Sequence, residues 1–566
     1  MSNAGGSVWV TFNGAIYNHL ELRRDLEPKY RFASNSDTEV LIHGYEEYGE
    51  DLWPKLQGMF AFALWDKRQE RFFLVRDHFG IKPLYYALHN DRLIFASQIK
   101  GILAAPDFDV AYDPEGISNF FSHFFVPGPE TGVQHIRLLE GGYYLRFDRQ
   151  GADVHQYYRL HPNPDYSLTQ DDLMQQLPMA ASEAIRKSQI SDVPVGVLLS
   201  SGIDSSILFK EMESAGGPPL NTYTLGFEDG SSYDESADVG DITKNTNSRN
   251  HVSKFSTNDF ENQVRDVVSA CDSFNANPGL LAIYQYMRVA GSHGKVAMVG
   301  SGPDELFAGY KTYLANQYHR SIQLVPRAVR TMMLKATRGL PVGYGKYSWD
   351  YLLRKFLEGS LHGAEKAHYW WRTIFTDAEK QRLFTDDFIA ALDHDVDSSY
   401  KYLERFSEVE GSFDDRALYG DFKLFLGDNA LVAADHLAMH FSLETRPPFL
   451  HQEFVEFAMR IPFHFKLRGR ETKHILRQAF ADKLPPQTAK RQKQGVVAPM
   501  GELFRGPLKE YAGDTINSDV MSGLPFFRPG ALGEVVDDHM AGRSDNGFKI
   551  WCLIYLAEWH RQFGQS

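Results

Sequence analysis

The chain has 566 residues, 43% hydrophobic and 23% charged, an ordinary globular composition with room for two to four domains that each bury a core. Its 73 acidic and 59 basic side chains leave a net charge of -14, which disfavours a general nucleic-acid or anionic-membrane surface, and no basic cluster is picked out. Two distant cysteines, Cys271 and Cys552, build neither a disulfide framework nor a structural zinc site, no apolar run reaches the ~18 residues of a membrane span, and the opening lacks a signal-peptide pattern, so the cytoplasm is the default.

Short Val/Phe/Tyr/Leu runs come first: Val8 to Phe12, Phe60 to Trp65, Arg71 to Val75, Pro83 to Leu88, Leu93 to Ala96 and Gly142 to Phe147 read as antiparallel sheet. Helices are placed at His19 to Leu26 and, after the cap-like Ser36-Asp37, at Thr38 to Tyr48. Met1 to Gly6 look like a start-site remnant, and the chain enters its first strand as though a preceding segment had been lost. The polar stretch His161-Pro162-Asn163-Pro164-Asp165 marks a boundary between domains at 1–160 and 168–566. Beyond it, Val193 to Leu199, Thr222 to Phe227 and Lys295 to Gly300 read as buried strands, separated by helices such as Ser205 to Ser214 and Gly279 to Ala290. That alternation predicts a parallel, doubly wound sheet. The C-terminal third is mainly helical and closes with Gly547 to Phe563.

The strongest local signal is the apolar strand that runs through Leu199 into Ser200-Ser201-Gly202 and then into a helix carrying Asp204, Ser205 and Ser206. Small residues let backbone N–H groups approach an anion, the helix N-terminus adds a favourable dipole, and the four serines can donate hydroxyl bonds. A serine-rich turn would look the same, and the loop is not a Walker motif, because no Gly-Lys-Ser/Thr follows. A carboxylate at Asp204 beside a polyphosphate is repelled unless a cation intervenes, so Mg2+ is implied, with Asp304 after the third strand as the second ligand. The alternative for Asp304-Glu305 is a helix N-cap with a favourable first-turn acid.

Taken together, Leu198 to Ser206, Tyr223 to Phe227 and Gly302 to Tyr310 resemble, in order and spacing, the synthetase domain of glutamine-hydrolysing asparagine synthetases. Asp435 to Leu450, Lys473 to Arg477 and Arg491 to Gly495 match further blocks of that family. Phe12 to His19, Ser36 to Glu39, Gly58 to Ala63 and Arg76 to Tyr86 resemble its glutaminase domain, so nearly the whole chain is covered. The resemblance implies a multidomain α/β protein: an antiparallel αββα sandwich of the N-terminal-nucleophile type, then a doubly wound parallel domain of the ATP-pyrophosphatase type with a helical C-terminal region.

It further implies a two-step ligase in which ATP adenylates a carboxylate, pyrophosphate leaves, and ammonia or an amine displaces AMP to form an amide. Adenylation gives a poor electrophile a good leaving group while cations absorb the departing charge. By similarity Leu225, Val299 and Gly300 contact the nucleotide, with Leu199 beside them. Lys493, with Arg491 nearby, neutralises pyrophosphate, although a lysine in an Arg-Gln-Lys-Gln run taken alone reads as a solvated charge.

The pattern breaks at four places. The family's glutaminase nucleophile is an N-terminal cysteine, whereas no cysteine here precedes Cys271, and Ala15 stands where a glutamate normally pairs with glutamine's amino group. Asn13, Gly14 and Asp37 remain of that pocket, so no glutamine hydrolysis is expected from this chain; a truncated sequence and a natural relic domain both account for it. Ser301 occupies the position of a glutamate, or of a tyrosine in lactam-forming relatives, and a serine hydroxyl is nearly non-basic at neutral pH. Glu444 and His440, expected on the substrate-side helix, are candidates to act instead. His451 replaces the aspartate that follows Pro-Phe-Leu in the family, which puts aspartate as acceptor in question.

The expected function is therefore an AMP-forming amide ligase, with aspartate to asparagine as the default reaction. A ligase for another carboxylate in sugar or natural-product metabolism is the first alternative, and a catalytically silent nucleotide-binding scaffold the second. The joint presence of Asp204, Asp304 and Lys493 speaks against silence. Expected partners are a small-molecule carboxylate and ammonia or an amine, with no nucleic acid or membrane, and a homodimer is one expected assembly.

Overall fold

The computed structural model describes residues 1–227, 236–343, 348–491 and 498–564. Eight strands open the chain: β1 (Val8–Ile16), β2 (Gly58–Asp66), β3 (Arg71–Arg76), β4 (Tyr85–His89), β5 (Arg92–Ala96), β6 (Ile136–Leu138), β7 (Tyr143–Asp148) and β8 (Gly151–Gln156). They form two antiparallel sheets, in the orders β1-β2-β3-β7-β8 and β5-β4-β6. The alternation along β2 shows why they stack. Phe60, Phe62 and Leu64 enter a core with Val40, Tyr45 and Trp53 of the helical side, whereas Ala61 and Ala63 face Leu84 and Tyr86 of the second sheet. The far face of that sheet, with Tyr85 and Ala87, meets Ile117 and Phe121 of the helix Pro114–His123. This is the expected αββα sandwich.

Five further strands are β9 (Val195–Leu198), β10 (Leu220–Phe227), β11 (Ser248–Phe255), β12 (Val296–Met298) and β13 (Glu444–Arg446). Their order is β11-β10-β9-β12-β13, and every neighbouring pair is parallel. Val197 and Met298 pack with Leu173 and Leu177 of the helix Gln170–Ser188 on one face, and Leu198 and Ala297 with Leu281 and Tyr284 of the helix Leu280–His293 on the other. Helices on both faces explain why the central strands β9 and β12 read as continuous apolar runs. The helices predicted at His19–Leu26, Thr38–Tyr48 and Gly547–Phe563 have those bounds in the structure. The strands β6, β8, β11 and β13 were not anticipated.

The first residues pair with β1: the Met1 amino group donates to the Val10 carbonyl at 2.8 Å, and the Val10 N–H donates to the Met1 carbonyl at 2.9 Å.

Candidate active site

From β9 the chain steps to β10 and β11 on one side and later to β12 and β13 on the other, so the strand order reverses between β9 and β12. In open parallel sheets the crevice outside the carboxyl ends of strands at such a switch point is where ligands bind. The loop Leu199-Ser200-Ser201-Gly202 leaves β9 there and enters the helix Ile203–Ser214, while Gly300 to Asp304 leave β12. Gly300 allows the two to touch: a Cβ there would lie 2.9 Å from the Ser205 nitrogen and 3.1 Å from Asp204 Cβ.

The loop serines turn inward more than expected. The Ser205 hydroxyl donates to the Ser200 and Gly202 carbonyls at 3.0 and 3.2 Å, and the Ser206 hydroxyl donates to the Gly202 carbonyl at 2.8 Å. The Ser200 hydroxyl lies 2.9 Å from that of Ser205 and accepts from the Gly202 N–H at 3.2 Å. These hydroxyls fix the loop's shape and leave anion contact mainly to main-chain N–H groups at the helix start.

Asp204 and Asp304 are brought together, as the sequence led us to expect, but the group between them is an ammonium. Lys473 Nζ lies 2.6 Å from Asp204 Oδ2 and 2.6 Å from Asp304 Oδ1, with all three side chains buried. Lys473 takes a left-handed backbone, φ 54, at the start of the helix His474–Ala479, a strained conformation that aims its side chain inward. Gly309 makes the room, since a Cβ there would stand 2.0 Å from Asp304 Oδ1 and 2.3 Å from Lys473 Cε. Sequence reading matched Lys473 to a family block but gave it no role; its buried neighbours in space carried that information.

Asp204 Oδ1 is buried and, among the described residues, has no hydrogen-bond partner. An orphaned carboxylate oxygen beside a second carboxylate is a donor set that suits Mg2+, which commonly takes one or two protein carboxylates and completes its shell with water and phosphate. No group of three or more acidic, His or Cys residues able to hold a metal occurs among the described residues.

The other anticipated residues divide. Leu225, Val299 and Gly300 are half-buried at the ends of β10 and β12, and Leu199 and Ser201 are buried beside them. Arg491 pairs with Asp238 of the helix Ser236–Thr243, while Lys493 lies outside the described residues. Ser301 is half-buried at the mouth of β12. Glu444 requires a correction: it is not on the helix, which ends at His440, but is the first residue of β13, opposite Val296, the first residue of β12. That is the amino end of the sheet, away from the crevice, and its carboxylate is held by Arg446 at 2.7 Å. His440 is exposed at the same end. His451 is buried in the seam with the N-terminal half, its ring 6.2 Å from that of Tyr17, and burial followed by Lys187 pushes its pKa down to about 4.

One network gave no sequence signal, because its members are scattered from residue 305 to residue 421. Glu305 accepts from the Tyr310 hydroxyl at 2.5 Å, and burial and then Asp304 raise the Glu305 pKa well above the usual range. The Arg372 guanidinium lies 4.8 Å from the Tyr310 ring centroid and donates to Asp421 at 2.7 Å, and Asp421 also meets buried His368 at 3.1 Å. Each charge in this row has a partner, which is what permits burial.

In the N-terminal half, Asp37 accepts from the Ile16 N–H at 3.0 Å, beside half-buried Asn13, Gly14 and Ala15 on β1. Both thiols are fully buried, and burial, followed for Cys271 by Asp272, raises their pKa values far above the normal range.

Residues 179–561 match the family model for asparagine synthase, and residues 1–158 match that for a glutamine amidotransferase domain. The chain is 31% identical over 556 residues to asparagine synthetase [glutamine-hydrolyzing] 1 of Bacillus subtilis strain 168, covering 98% of this chain and 85% of that one. It is 31% identical over 567 residues to the putative asparagine synthetase [glutamine-hydrolyzing] of Mycobacterium tuberculosis H37Rv, covering 98% and 84%. A third relative, 25% identical over 591 residues and covering 98% and 86%, is the amidase chry2 of Gibberella zeae.

Proposed function

Because the chain belongs to the asparagine synthase family, whose members are ATP-dependent ligases that form C–N bonds, we propose that its switch-point crevice adenylates a carboxylate and passes it to ammonia or an amine. The observation that carries this reading is the buried Asp204–Lys473–Asp304 cluster below the Ser200–Gly202 loop. The helix N-terminus at Ile203 would receive the phosphates, and the Lys473 ammonium would face their negative charge. Asp204 and Asp304 would hold Mg2+, which when bound would screen the triphosphate. A carboxylate oxygen attacks the α-phosphorus and pyrophosphate leaves with the bonding pair. The amine nitrogen then attacks the acyl carbon, AMP departs, and the nitrogen gives up a proton. Lys493 and Arg491 remain proposed partners of pyrophosphate, and Leu225, Val299 and Gly300 of the base and ribose.

Aspartate is the default acceptor. A different carboxylate is the second reading, favoured by Ser301 at the mouth of β12 and by His451 directly after Pro-Phe-Leu, where the chain presents a buried neutral ring. Ala15 on β1 offers no carboxylate to glutamine's amino group, which favours free ammonia or an amine as the proposed nitrogen source. The test mixes protein, ATP and Mg2+ with ammonium and a panel of carboxylates and assays AMP and pyrophosphate. AMP formed with aspartate supports the default, AMP formed only with other acids supports the second reading, and release of ADP instead of AMP overturns both.

A further inference from the structure

Residues 306–349 contain seven basic side chains and no acidic one, in a chain that carries 73 acidic residues. The basic residues are spaced out among apolar ones, which is why the segment does not look like a cluster in the sequence. Within it, the helix Arg327–Ala336 is packed with its polarity reversed. Arg330 is only 7% exposed and donates to the carbonyls of Val325, at 3.0 Å, and Ser360. Val329, Met332 and Met333, on another side of the same helix, face solvent, with Met332 63% exposed. Leu324 just before this helix is 86% exposed, and Trp349, which begins the helix Trp349–Gly359 packed beside it, is 80% exposed. Arg327 and Lys335 are exposed on the same helix. A shallow apolar pocket between Ile322, Val325 and Phe356 adjoins this face.

We propose that this face docks on an anionic lipid bilayer. Isolated exposed apolar residues are ordinary, but Leu, Met and Trp grouped on adjoining helices and mixed with cations are the composition of an interfacial surface. The apolar side chains would enter the acyl boundary, and Arg327 and Lys335 would meet headgroup phosphates. The charge pattern chooses this occupant over a second copy, since Arg327 and Lys335, the exposed charges of the helix Arg327–Ala336, would meet their own kind across a two-fold contact. The whole chain has a net charge of -14 although this segment adds seven positive charges, so the remainder, at -21, is repelled by an anionic membrane; contact would be confined to this face and would orient the protein.

The test is flotation of the full chain with phosphatidylglycerol/phosphatidylcholine vesicles and with phosphatidylcholine vesicles alone, at low salt. The protein should float with the anionic vesicles only. The combination Leu324→Ser, Met332→Ser and Trp349→Ser, and separately Arg327→Glu with Lys335→Glu, should each weaken binding by about tenfold or more. AMP release measured without vesicles should be unchanged in both, which shows that they fold. Three results would overturn the proposal: wild type that fails to float, variants that float as well as wild type, or a wild-type dimer in sedimentation that the same substitutions dissolve.

Discussion

Lys82 Nζ lies 2.7 Å from Asp435 Oδ1, both side chains nearly sealed from solvent, and this ion pair ties the loop after β3 to the helix Val432–His440. The loop is held for that purpose: the Asp77 carboxylate accepts from the N–H groups of Phe79, Ile81 and Lys82, and the Arg76 guanidinium donates to the carbonyls of Gly80, Lys82 and Leu139. Removing one member of a buried pair strands the other charge. Lys82→Met should therefore cost about 3–5 kcal/mol, whereas Lys82→Met with Asp435→Leu should recover most of the loss. The urea midpoints of the three proteins measure this.

At the crevice, Asp204→Asn or Asp304→Asn should lower pyrophosphate release by about 100-fold or more, and Asp204→Ala should abolish it. Glu444→Gln should leave release near wild type, because Glu444 stands at the other end of the sheet with Arg446. An active Asp204→Ala protein would show that the phosphates lie elsewhere.

Neither Cys271 nor Cys552 should react in the folded chain, since burial withholds both the sulfur and its thiolate form. A thiol reagent should titrate no sulfur in native protein and two after denaturation. Incubation of the same chain with glutamine should yield no glutamate at enzymic rates.

Burial lowers the pKa of His451 from its ordinary 6.5 to about 4, so between those values the unfolded chain binds a proton that the folded chain refuses. The stability linked to His451 is fully present above pH 6.5 and is lost as pH falls toward 4. His451→Phe, which keeps a flat ring against Tyr17, should show a smaller drop in urea midpoint between pH 7 and pH 5 than wild type. An equal drop would locate the protonation at other buried histidines, such as His78 and His123, whose pKa values burial lowers to about 3.

Much of the architecture was legible in the amino-acid order. Strands buried on both faces, β9 and β12, announce themselves as apolar runs, and the helix Thr38–Tyr48 has its predicted bounds although the Asp37 carboxylate accepts from the Ile16 N–H instead of capping it. Within the two halves' main sheets the strands that escaped notice, β6, β8, β11 and β13, lie at sheet edges. An edge strand is stabilised by main-chain bonds to one neighbour and keeps polar side chains such as those of Ser248-Arg249-Asn250-His251, so it carries little periodic signal. Missing β13 is also what misplaced Glu444.

The sequence by itself determined the family, the order of the two halves, the loop after β9 and the presence of two aspartates near it, because each is written in contiguous residues. Only the tertiary structure decided that Lys473, far along the chain, reaches between those aspartates, that Glu444 points to the opposite end of the sheet, and that the helix Arg327–Ala336 hides an arginine and shows methionines. Charge pairing and exposure are set by neighbours in space, and those neighbours come from folding the chain back on itself.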